Sequence, residues 1–272
     1  MRDKLFRKPK LGEIDQGMII PNCTSVPVKQ CFGLVITPRC DLHNTKVDSI
    51  HYLPIVSFAD WLETDGWKLI KKLILHAIRE KLGNQFRAND VSLSIIHRIS
   101  DIEDIDVIIG SISKKNQTLV RELIADLKRL DKEEIPIGQR RHYFEVYENV
   151  LKSFFREIRE NKRKEVHLIE SWDENDPSEE YYVVLLREIR RIDFDLFATV
   201  ANGVFCDEMP RDLLERNNLV HNEGDLICCC SIINSPFIEH LVQQFLNNFN
   251  RIGVEDHDYE FEKKVVNKIT KQ

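Results

Sequence analysis

Strand-like sequence at both ends of this chain and helix-like sequence in the middle constrain the fold more than any other feature. Residues 1–57 contain short β-branched runs such as Phe32–Thr37, interrupted by glycine and proline. Residues 58–164 show apolar repeats at three- and four-residue steps. Residues 165–272 return to strand-like runs, and the apolar run at 226–233 predicts one continuous central strand. We therefore predict an α+β protein, with a small β-barrel or curled sheet built from both chain ends and a helical insertion between them.

The predicted β-rich platform ends in an amphipathic helix. Ser235 is the expected N-cap and Pro236 the first helical residue, because serine accepts backbone hydrogen bonds there and proline lacks a donor. Gly253 is the expected C-terminal cap. The apolar positions recur at helical spacing: Phe237, Ile238, Leu241, Val242, Phe245, Leu246, Phe249 and Ile252.

The composition excludes several classes of protein. Of the 272 residues, 42% are hydrophobic, which is too many for an intrinsically disordered chain. No apolar run reaches the length of a membrane-spanning helix, and no glycine-rich phosphate-binding fingerprint is present. The net charge of −6 argues against a protein that coats nucleic acid non-specifically. Seven cysteines, three of them consecutive, indicate reduced thiols, and with no visible signal peptide we expect a cytoplasmic protein without cofactor or metal.

Four polar side chains follow an early predicted strand: Arg39, Cys40, Asp41 and His43. We predict a surface cluster of unassigned role, in which Asp41 makes the local hydrogen bonds of a turn. One alternative is thiol or hydrolytic chemistry, because a Cys40 nucleophile needs an imidazole such as His43 nearby. A second alternative is a zinc site in which Cys23 and Cys31 join Cys40 and His43. Those spacings lack the two-residue knuckle of common zinc modules.

Arg216, Asn217 and His221 form a short motif of arginine, a polar residue, three further positions and histidine. The segment resembles the motif of HEPN ribonucleases, which are often found in toxins and phage-defence systems. The resemblance implies that Arg216 stabilises phosphate charge and that His221 serves in acid–base chemistry, with Asn217 in support and two copies meeting across a dimer. Strand-like sequence follows the motif, which departs from an all-helical HEPN bundle. The alternative is an exposed loop after a helix end at 217–218.

Two segments from opposite ends of the chain together resemble an uncharacterised bacterial family. The first is a strand at 33–42 that ends in Cys-Asp. The second is a Ser-Pro-capped helix that starts at 235–239 and ends in Arg-Ile-Gly at 251–253. The resemblance spares the helical middle and implies a shared fold without implying an activity.

Charge is unevenly distributed along the chain. Residues 113–164 carry 14 Lys and Arg against 9 Asp and Glu, whereas residues 165–190 carry 2 against 8. Cations alternate with aromatic residues in the basic part, which gives the candidate nucleic-acid contacts: Arg140, Arg141, Arg163 and Lys164. A solvated helix face explains the same pattern and is the favoured interpretation.

These observations favour a non-catalytic interaction or regulatory protein that binds a partner protein or a second copy of itself. The missing enzyme fingerprints, the insertion-like middle and the segregated charge motivate this hypothesis. An accessory subunit of a bacterial defence or stress-response system is the expected setting. The alternative is a HEPN-like, metal-independent ribonuclease that acts through Arg216 and His221. Nucleic acid is the less favoured partner, and we expect no membrane contact.

Overall fold

The computed structural model describes residues 5–44, 46–102, 104–132, 134–172 and 181–249, and it confirms the predicted α+β class. In these ranges eight strands form one strongly curled antiparallel sheet, a half-barrel. They are β1 (Phe6–Arg7), β2 (Met18–Cys23), β3 (Cys31–Val35), β4 (Ser49–Ser57), β5 (Val166–Glu170), β6 (Tyr181–Leu185), β7 (Arg190–Asp193) and β10 (Ser231–Ile233). Two further strands, β8 (Val204–Phe205) and β9 (Leu226–Ile227), pair with each other as a separate ribbon.

Both ends of the chain contribute to the curled sheet. The strand order is β1–β10–β2–β3–β4–β6–β5, and β7 pairs with the first half of β4. Phe6 of β1 lies opposite Ile233 of β10, and Ile19 of β2 lies opposite Ser231. A strand from the C-terminal part is therefore enclosed between two strands from the N-terminal part.

Both faces of the sheet are buried, which explains the nearly continuous apolar runs in β2, β3 and β4. Met18, Ile20 and Tyr52 belong to the hydrophobic cluster on one face. Ile19 and Leu34 belong to the cluster on the other face. Successive side chains of a strand point to opposite faces, so a strand covered on both sides needs apolar residues at every position.

The described ranges contain ten α-helices: α1 (Arg39–His43), α2 (Phe58–Glu63), α3 (Asp65–Arg87), α4 (Asp106–Gly110), α5 (Gln117–Lys132), α6 (Ile137–Val146), α7 (Glu148–Arg159), α8 (Phe194–Ala201), α9 (Arg211–Arg216) and α10 (Phe237–Asn247). Short 3₁₀ segments occur at 93–101, 114–116 and 206–208. None of the helices in these ranges combines the length and the apolar content needed to cross a membrane.

Helices α2 to α7 share one hydrophobic cluster with one face of the sheet. Their buried side chains recur every three or four residues, as Ile70 and Ile74 do in α3. These helices therefore pack on the sheet through a common core. The division of the chain into a platform at 1–57 and 165–272 and an insertion at 58–164 remains a prediction.

Helix α10 covers the opposite face of the sheet, where the predicted amphipathic helix is present. Ile238, Leu241 and Phe245 are its buried side chains. They join the cluster that contains Ile19 and Leu34. The sheet is thus enclosed between α10 on one side and the larger group of helices on the other.

The predicted start of α10 is wrong by one residue. The helix begins at Phe237, and Pro236 occupies the N-cap position. The hydroxyl of Ser235 makes no capping hydrogen bond, because it contacts the carboxylate of Glu239 one turn further along. The predicted end at Ile252 and Gly253 lies outside the described residues.

The prediction of one continuous strand at 226–233 is also wrong. The run divides into β9, which pairs with β8, and β10, which pairs with β1 and β2. Cys228, Cys229 and Cys230 lie between them without strand structure. The break follows from strand pairing, because the chain leaves the ribbon and enters the curled sheet within three residues.

Candidate functional site

Arg39, from the predicted polar cluster, lies where two distant segments of the chain meet. It opens α1, and its Nε donates to Asp15 Oδ1 at 2.9 Å. Its Nη1 donates to Glu239 Oε1 at 3.0 Å and to Ser235 Oγ at 3.3 Å, both at the N-terminal end of α10. The structure therefore joins the Cys-Asp segment to the Ser-Pro segment, which come from opposite ends of the chain.

A second arginine extends this ion network. Arg7 of β1 donates from Nη2 to Glu13 Oε1 at 2.7 Å and to Asp15 Oδ2 at 3.1 Å. The hydrogen bond from Arg7 lowers the pKa of Glu13, and the hydrogen bond from Ser235 lowers the pKa of Glu239. Two guanidinium groups are thus held by three carboxylates, which ties β1, α1 and α10 together. We call these residues the Arg39 network: Arg7, Glu13, Asp15, Arg39 and Glu239.

The remaining members of the predicted polar cluster also lie on α1. Cys40 Sγ is 3.5 Å from Asp41 Oδ1, and Cys40 O accepts a hydrogen bond from Asn44 Nδ2. The thiol therefore contacts a carboxylate, whereas thiol chemistry needs an imidazole such as that of His43 beside it. Asp41 also lines an open groove of about 300 Å³, together with His51 of β4.

The placement of the four candidate zinc ligands does not support the zinc alternative. Cys23 is fully buried in β2 opposite Cys31 of β3, whereas Cys40 is exposed on α1. Burial raises the pKa of Cys31 to about 12 and also raises that of Cys23. Across the described part of the chain, no three His, Cys, Asp or Glu side chains converge as metal ligands do.

The three residues of the HEPN-like motif make separate contacts around the end of α9. Arg216 is the last residue of the helix, and its Nη2 donates to Asp212 Oδ2 at 3.0 Å. Asn217 is 3% exposed and uses both ends of its amide inside the protein. His221 lies in the following loop, with Nε2 3.9 Å from Asp207 Oδ1. Within the contacts described, the guanidinium of Arg216 and the imidazole of His221 therefore have different partners.

Asn217 connects α9 to the strand β7. Its Oδ1 accepts from Asp193 N at 2.7 Å, and its Nδ2 donates to Leu213 O at 3.0 Å. The following residues are fixed to the curled sheet, since Val220 N donates to Asn22 O at 2.6 Å. The motif segment thus has a structural role in attaching α9 to the sheet.

Two of the candidate nucleic-acid contacts belong to α6. The Arg140 guanidinium lies over the ring of Trp67, 4.7 Å from its centroid, and donates to Glu63 O at 2.8 Å. Arg141 Nε donates to Glu145 Oε1 at 2.9 Å, one turn along the same helix. Arg140 is therefore held against the protein, and a carboxylate balances the charge of Arg141.

The other two candidate contacts follow α7. Arg163 donates to Glu157 at 3.2 Å and to Glu165 at 3.1 Å, so two carboxylates surround its single charge. Lys164 lines an open groove of about 350 Å³ that is otherwise rich in amides, including Asn161. The nucleic-acid surface stays a prediction, and of its four residues Arg163 and Lys164 both line this groove.

A buried polar cluster next to this groove is not among the predicted sites. His167 is 8% exposed, and its Nδ1 donates to Gln244 Oε1 at 2.5 Å. Burial lowers the pKa of His167 to about 4, so the ring is neutral at physiological pH. Asn161 Nδ2 lies 3.3 Å from His167 Nε2, and Asn161 Oδ1 accepts from Leu168 N at 2.7 Å. Through Asn161 the cluster thus bonds the backbone of Leu168 at the free edge of β5.

The two-stranded ribbon presents an apolar pair to solvent. Val204 and Ile227 lie opposite each other and are buried, whereas the next pair, Phe205 and Leu226, is 48% and 49% exposed. Side chains of directly opposed residues in antiparallel strands have Cβ atoms about 5 Å apart, so the exposed pair forms one surface. We call Phe205 and Leu226 the ribbon patch.

Comparison with known proteins gives one result for this chain. No protein-family model, no curated protein and no solved structure matches it. Neither the resemblance to HEPN ribonucleases nor that to the bacterial family with Cys-Asp and Ser-Pro motifs is tested by this result. The functional inference therefore depends on the geometry of the described residues.

Sequence reasoning missed the ribbon patch and the His167 cluster. Each strand of the ribbon has two residues, which is too short for the alternation that identifies a strand. The dipeptides Val204–Phe205 and Leu226–Ile227 contain the pattern, but the pairing that exposes one side chain of each is nonlocal. For His167, the available signal is a histidine within the apolar run of β5.

Proposed function

We propose that this chain is a non-catalytic interaction or regulatory protein that binds a partner protein through the ribbon patch. The observation that carries the proposal is the exposed cross-strand pair of Phe205 and Leu226, which lies on an ordered ribbon. Exposed apolar surface with a polar rim is typical of protein–protein contacts. Aromatic side chains in such a position often act as binding anchors.

The apolar area of the ribbon patch is large enough to matter for affinity. Complete burial of a Phe or Leu side chain contributes about 1.5–3 kcal/mol, so burying the exposed halves of Phe205 and Leu226 contributes roughly 2 kcal/mol together. A difference of that size corresponds to about a 30-fold change in the dissociation constant. The patch is therefore a sufficient anchor within a larger interface, although it does not form a complete interface alone.

Two polar residues from the segments that the sequence singles out support an interaction role, because their side chains bond within the fold. Asn217 bonds two backbone groups, and Arg39 is held by Asp15 and Glu239. The proposal extends to a cytoplasmic accessory subunit of a bacterial defence or stress-response system. A nuclease or ATPase gene immediately beside the gene for this chain would support that setting.

The test is recovery of partners from the source cells with the tagged full-length chain. We expect proteins that co-purify with the wild type to be lost with Phe205→Ser/Leu226→Ser. The matched control is Val146→Ser, because Val146 at the end of α6 is 51% exposed and lies outside the ribbon. Thermal unfolding of both variants establishes that they are folded. The same set of proteins recovered with all three chains would contradict the proposal.

The ribonuclease is the second candidate, and one contact favours it. His221 Nε2 lies 3.9 Å from Asp207 Oδ1, which is within ion-pair range of a carboxylate but longer than a hydrogen bond. If RNA is the substrate, His221→Ala and Arg216→Ala reduce the cleavage rate by about 100-fold or more. Arg211→Ala is the matched control, since Arg211 forms an equivalent pair with Glu215 on the same helix. A wild-type rate equal to that of buffer alone excludes this candidate.

A further inference from the structure

The charges around the ribbon patch are strongly unbalanced. Residues 201–228 contain six carboxylates and two arginines, a net charge of −4. Both arginines are on α9, where Arg211 pairs with Glu215 at 3.1 Å and Arg216 pairs with Asp212 at 3.0 Å. The charges of α9 therefore cancel, and the excess negative charge belongs to the turns that flank the ribbon.

Four carboxylates flank the patch: Asp207, Glu208, Glu223 and Asp225. The two turns that carry them are held together, since Gly224 N donates to Asp207 Oδ2 at 2.9 Å and Cys206 N donates to Asp225 O at 2.8 Å. Within the described residues, no lysine or arginine nitrogen lies within 4 Å of any of these four carboxylates. The Oδ1 atom of Asp207 lies 3.9 Å from His221 Nε2.

One of these carboxylates has a fixed charge. Asn222 Nδ2 and Asn22 Nδ2 donate to Asp225 Oδ2 at 2.9 and 3.0 Å. These hydrogen bonds lower the pKa of Asp225, so the group is ionised at neutral pH. The acidic end of the ribbon is therefore a stable feature of the surface.

The opposite end of the ribbon differs in character. Gly203 precedes β8, and a Cβ added there would lie 3.8 Å from Leu226 Cδ1. The neighbouring turn is attached to α8 through Gly12 N, which donates to Ala201 O at 2.9 Å. This turn carries Leu11, which is 82% exposed, together with Lys10. Beyond Gly203 the surface thus carries Leu11 and Lys10, whereas the other end of the ribbon carries the carboxylates.

We infer that the partner segment bound by the ribbon patch is cationic and amphipathic. Its apolar side chains pack on Phe205 and Leu226, and its lysine or arginine side chains face the carboxylates of the two flanking turns. An anionic segment is disfavoured, because four carboxylates without a described lysine or arginine partner repel it. This inference rests on the proposed function and adds the chemistry of the partner to it.

The experiment measures binding of fluorescent helical peptides to the full-length chain by anisotropy. One peptide has leucines on one face and lysines on the other, a second replaces the lysines by glutamates, and a third replaces the leucines by serines. We expect the first peptide to bind at least about tenfold more tightly than the others. Raising the salt concentration from about 50 to about 500 mM weakens the binding of the first peptide by a factor of about ten, because salt screens the charges at the rim of the interface.

Two variants locate the binding on the protein. Asp207→Asn/Glu208→Gln/Glu223→Gln neutralises the flanking turns, and we expect it to weaken the lysine peptide at least about tenfold. Asp212→Asn/Glu215→Gln is the matched control, since it removes two carboxylates whose charges are already balanced on α9. Asp225 is left unchanged because its carboxylate accepts hydrogen bonds from Asn22 and Asn222 that hold the local structure. Equal weakening by both variants, or binding unchanged by Phe205→Ser/Leu226→Ser, overturns the inference.

Cross-linking of the native partner separates this inference from the proposed function. Loss of the partner with the ribbon variant, together with cross-links from the ribbon to a cationic segment, supports both. The same loss with cross-links to an acidic or uncharged segment overturns the inference and leaves the function intact. Retention of the partner by the ribbon variant contradicts both the function and the inference.

Discussion

Replacing Asn217 by alanine tests whether the HEPN-like motif segment has a structural role. The side chain is 3% exposed and bonds two backbone groups, accepting from Asp193 N at 2.7 Å and donating to Leu213 O at 3.0 Å. Asp193 ends β7 and directly precedes α8, so its N–H lies where the sheet, α8 and α9 meet. Alanine leaves this donor without its acceptor.

The loss of unfolding free energy expected for Asn217→Ala follows from these two hydrogen bonds. An unsatisfied buried donor costs about 1–3 kcal/mol, and the second hydrogen bond adds about 0.5–1.5 kcal/mol. The backbone N–H of Asn217 still donates to Leu213 O at 3.3 Å in the variant, so this carbonyl keeps one hydrogen bond and its loss contributes little to the destabilisation. We expect the free energy of unfolding to fall by about 3 kcal/mol. For a chain of this size that lowers the melting temperature by roughly 6–12 °C.

The assay is thermal unfolding followed by circular dichroism, with Asn202→Ala as the matched control. Asn202 is exposed after α8, where its Nδ2 donates to Ala198 O at 2.8 Å, so its removal leaves no buried group unsatisfied. We expect the control to change the free energy of unfolding by less than about 1 kcal/mol. Equal melting temperatures for the two variants would refute the structural role of Asn217. The measurement also shows whether a loss of RNA cleavage in an Asn217 variant reflects unfolding.

Two further predictions concern buried groups. Burial lowers the pKa of His167 to about 4, so its contribution to the free energy of unfolding is complete above its ordinary pKa near 6.5 and is lost as the pH falls towards 4. We expect the free energy of unfolding of the wild type, measured with urea, to fall between about pH 7 and about pH 5, and that of His167→Gln to fall less. An equal fall for the two proteins would contradict this prediction. A thiol reagent is expected to label exposed Cys40 in the native protein and to reach buried Cys23 and Cys206 only after unfolding, as peptide mapping would reveal. Native labelling of Cys23 at the rate of Cys40 would disprove this burial.

The fold class could be predicted because its evidence is local. The apolar stripe that contains Ile238, Leu241 and Phe245 has the helical period, and the structure buries these three side chains against the sheet. The β-branched run at Phe32–Thr37 likewise overlaps β3, which spans Cys31–Val35. Such patterns involve residues that are close together in the sequence, so they can be recognised without knowing which helix or strand the segment packs against.

The break within 226–233 could not be predicted, because it depends on strand pairing. Every residue of the run suits a buried strand, and nothing local shows that Leu226 pairs with Phe205 while Ser231 pairs with Ile19. The exposure of Leu226 follows from the same pairing. The feature that carries the proposed function was therefore hidden by the assumption of a single strand.

Arg39 and Asn217 show why polar motifs alone were a poor guide to the site. Each lies in a segment that the sequence singles out, and each uses its polar atoms to bind distant parts of the same chain. A polar group that is already bonded within the fold gains little from a ligand, because a new contact must replace an existing hydrogen bond. Phe205 and Leu226 are in the opposite situation, since burial of their exposed surface by a partner removes it from water and replaces no existing bond. The free energy still available at this surface thus comes mainly from apolar burial, and this is the physical basis of the proposed association with another protein.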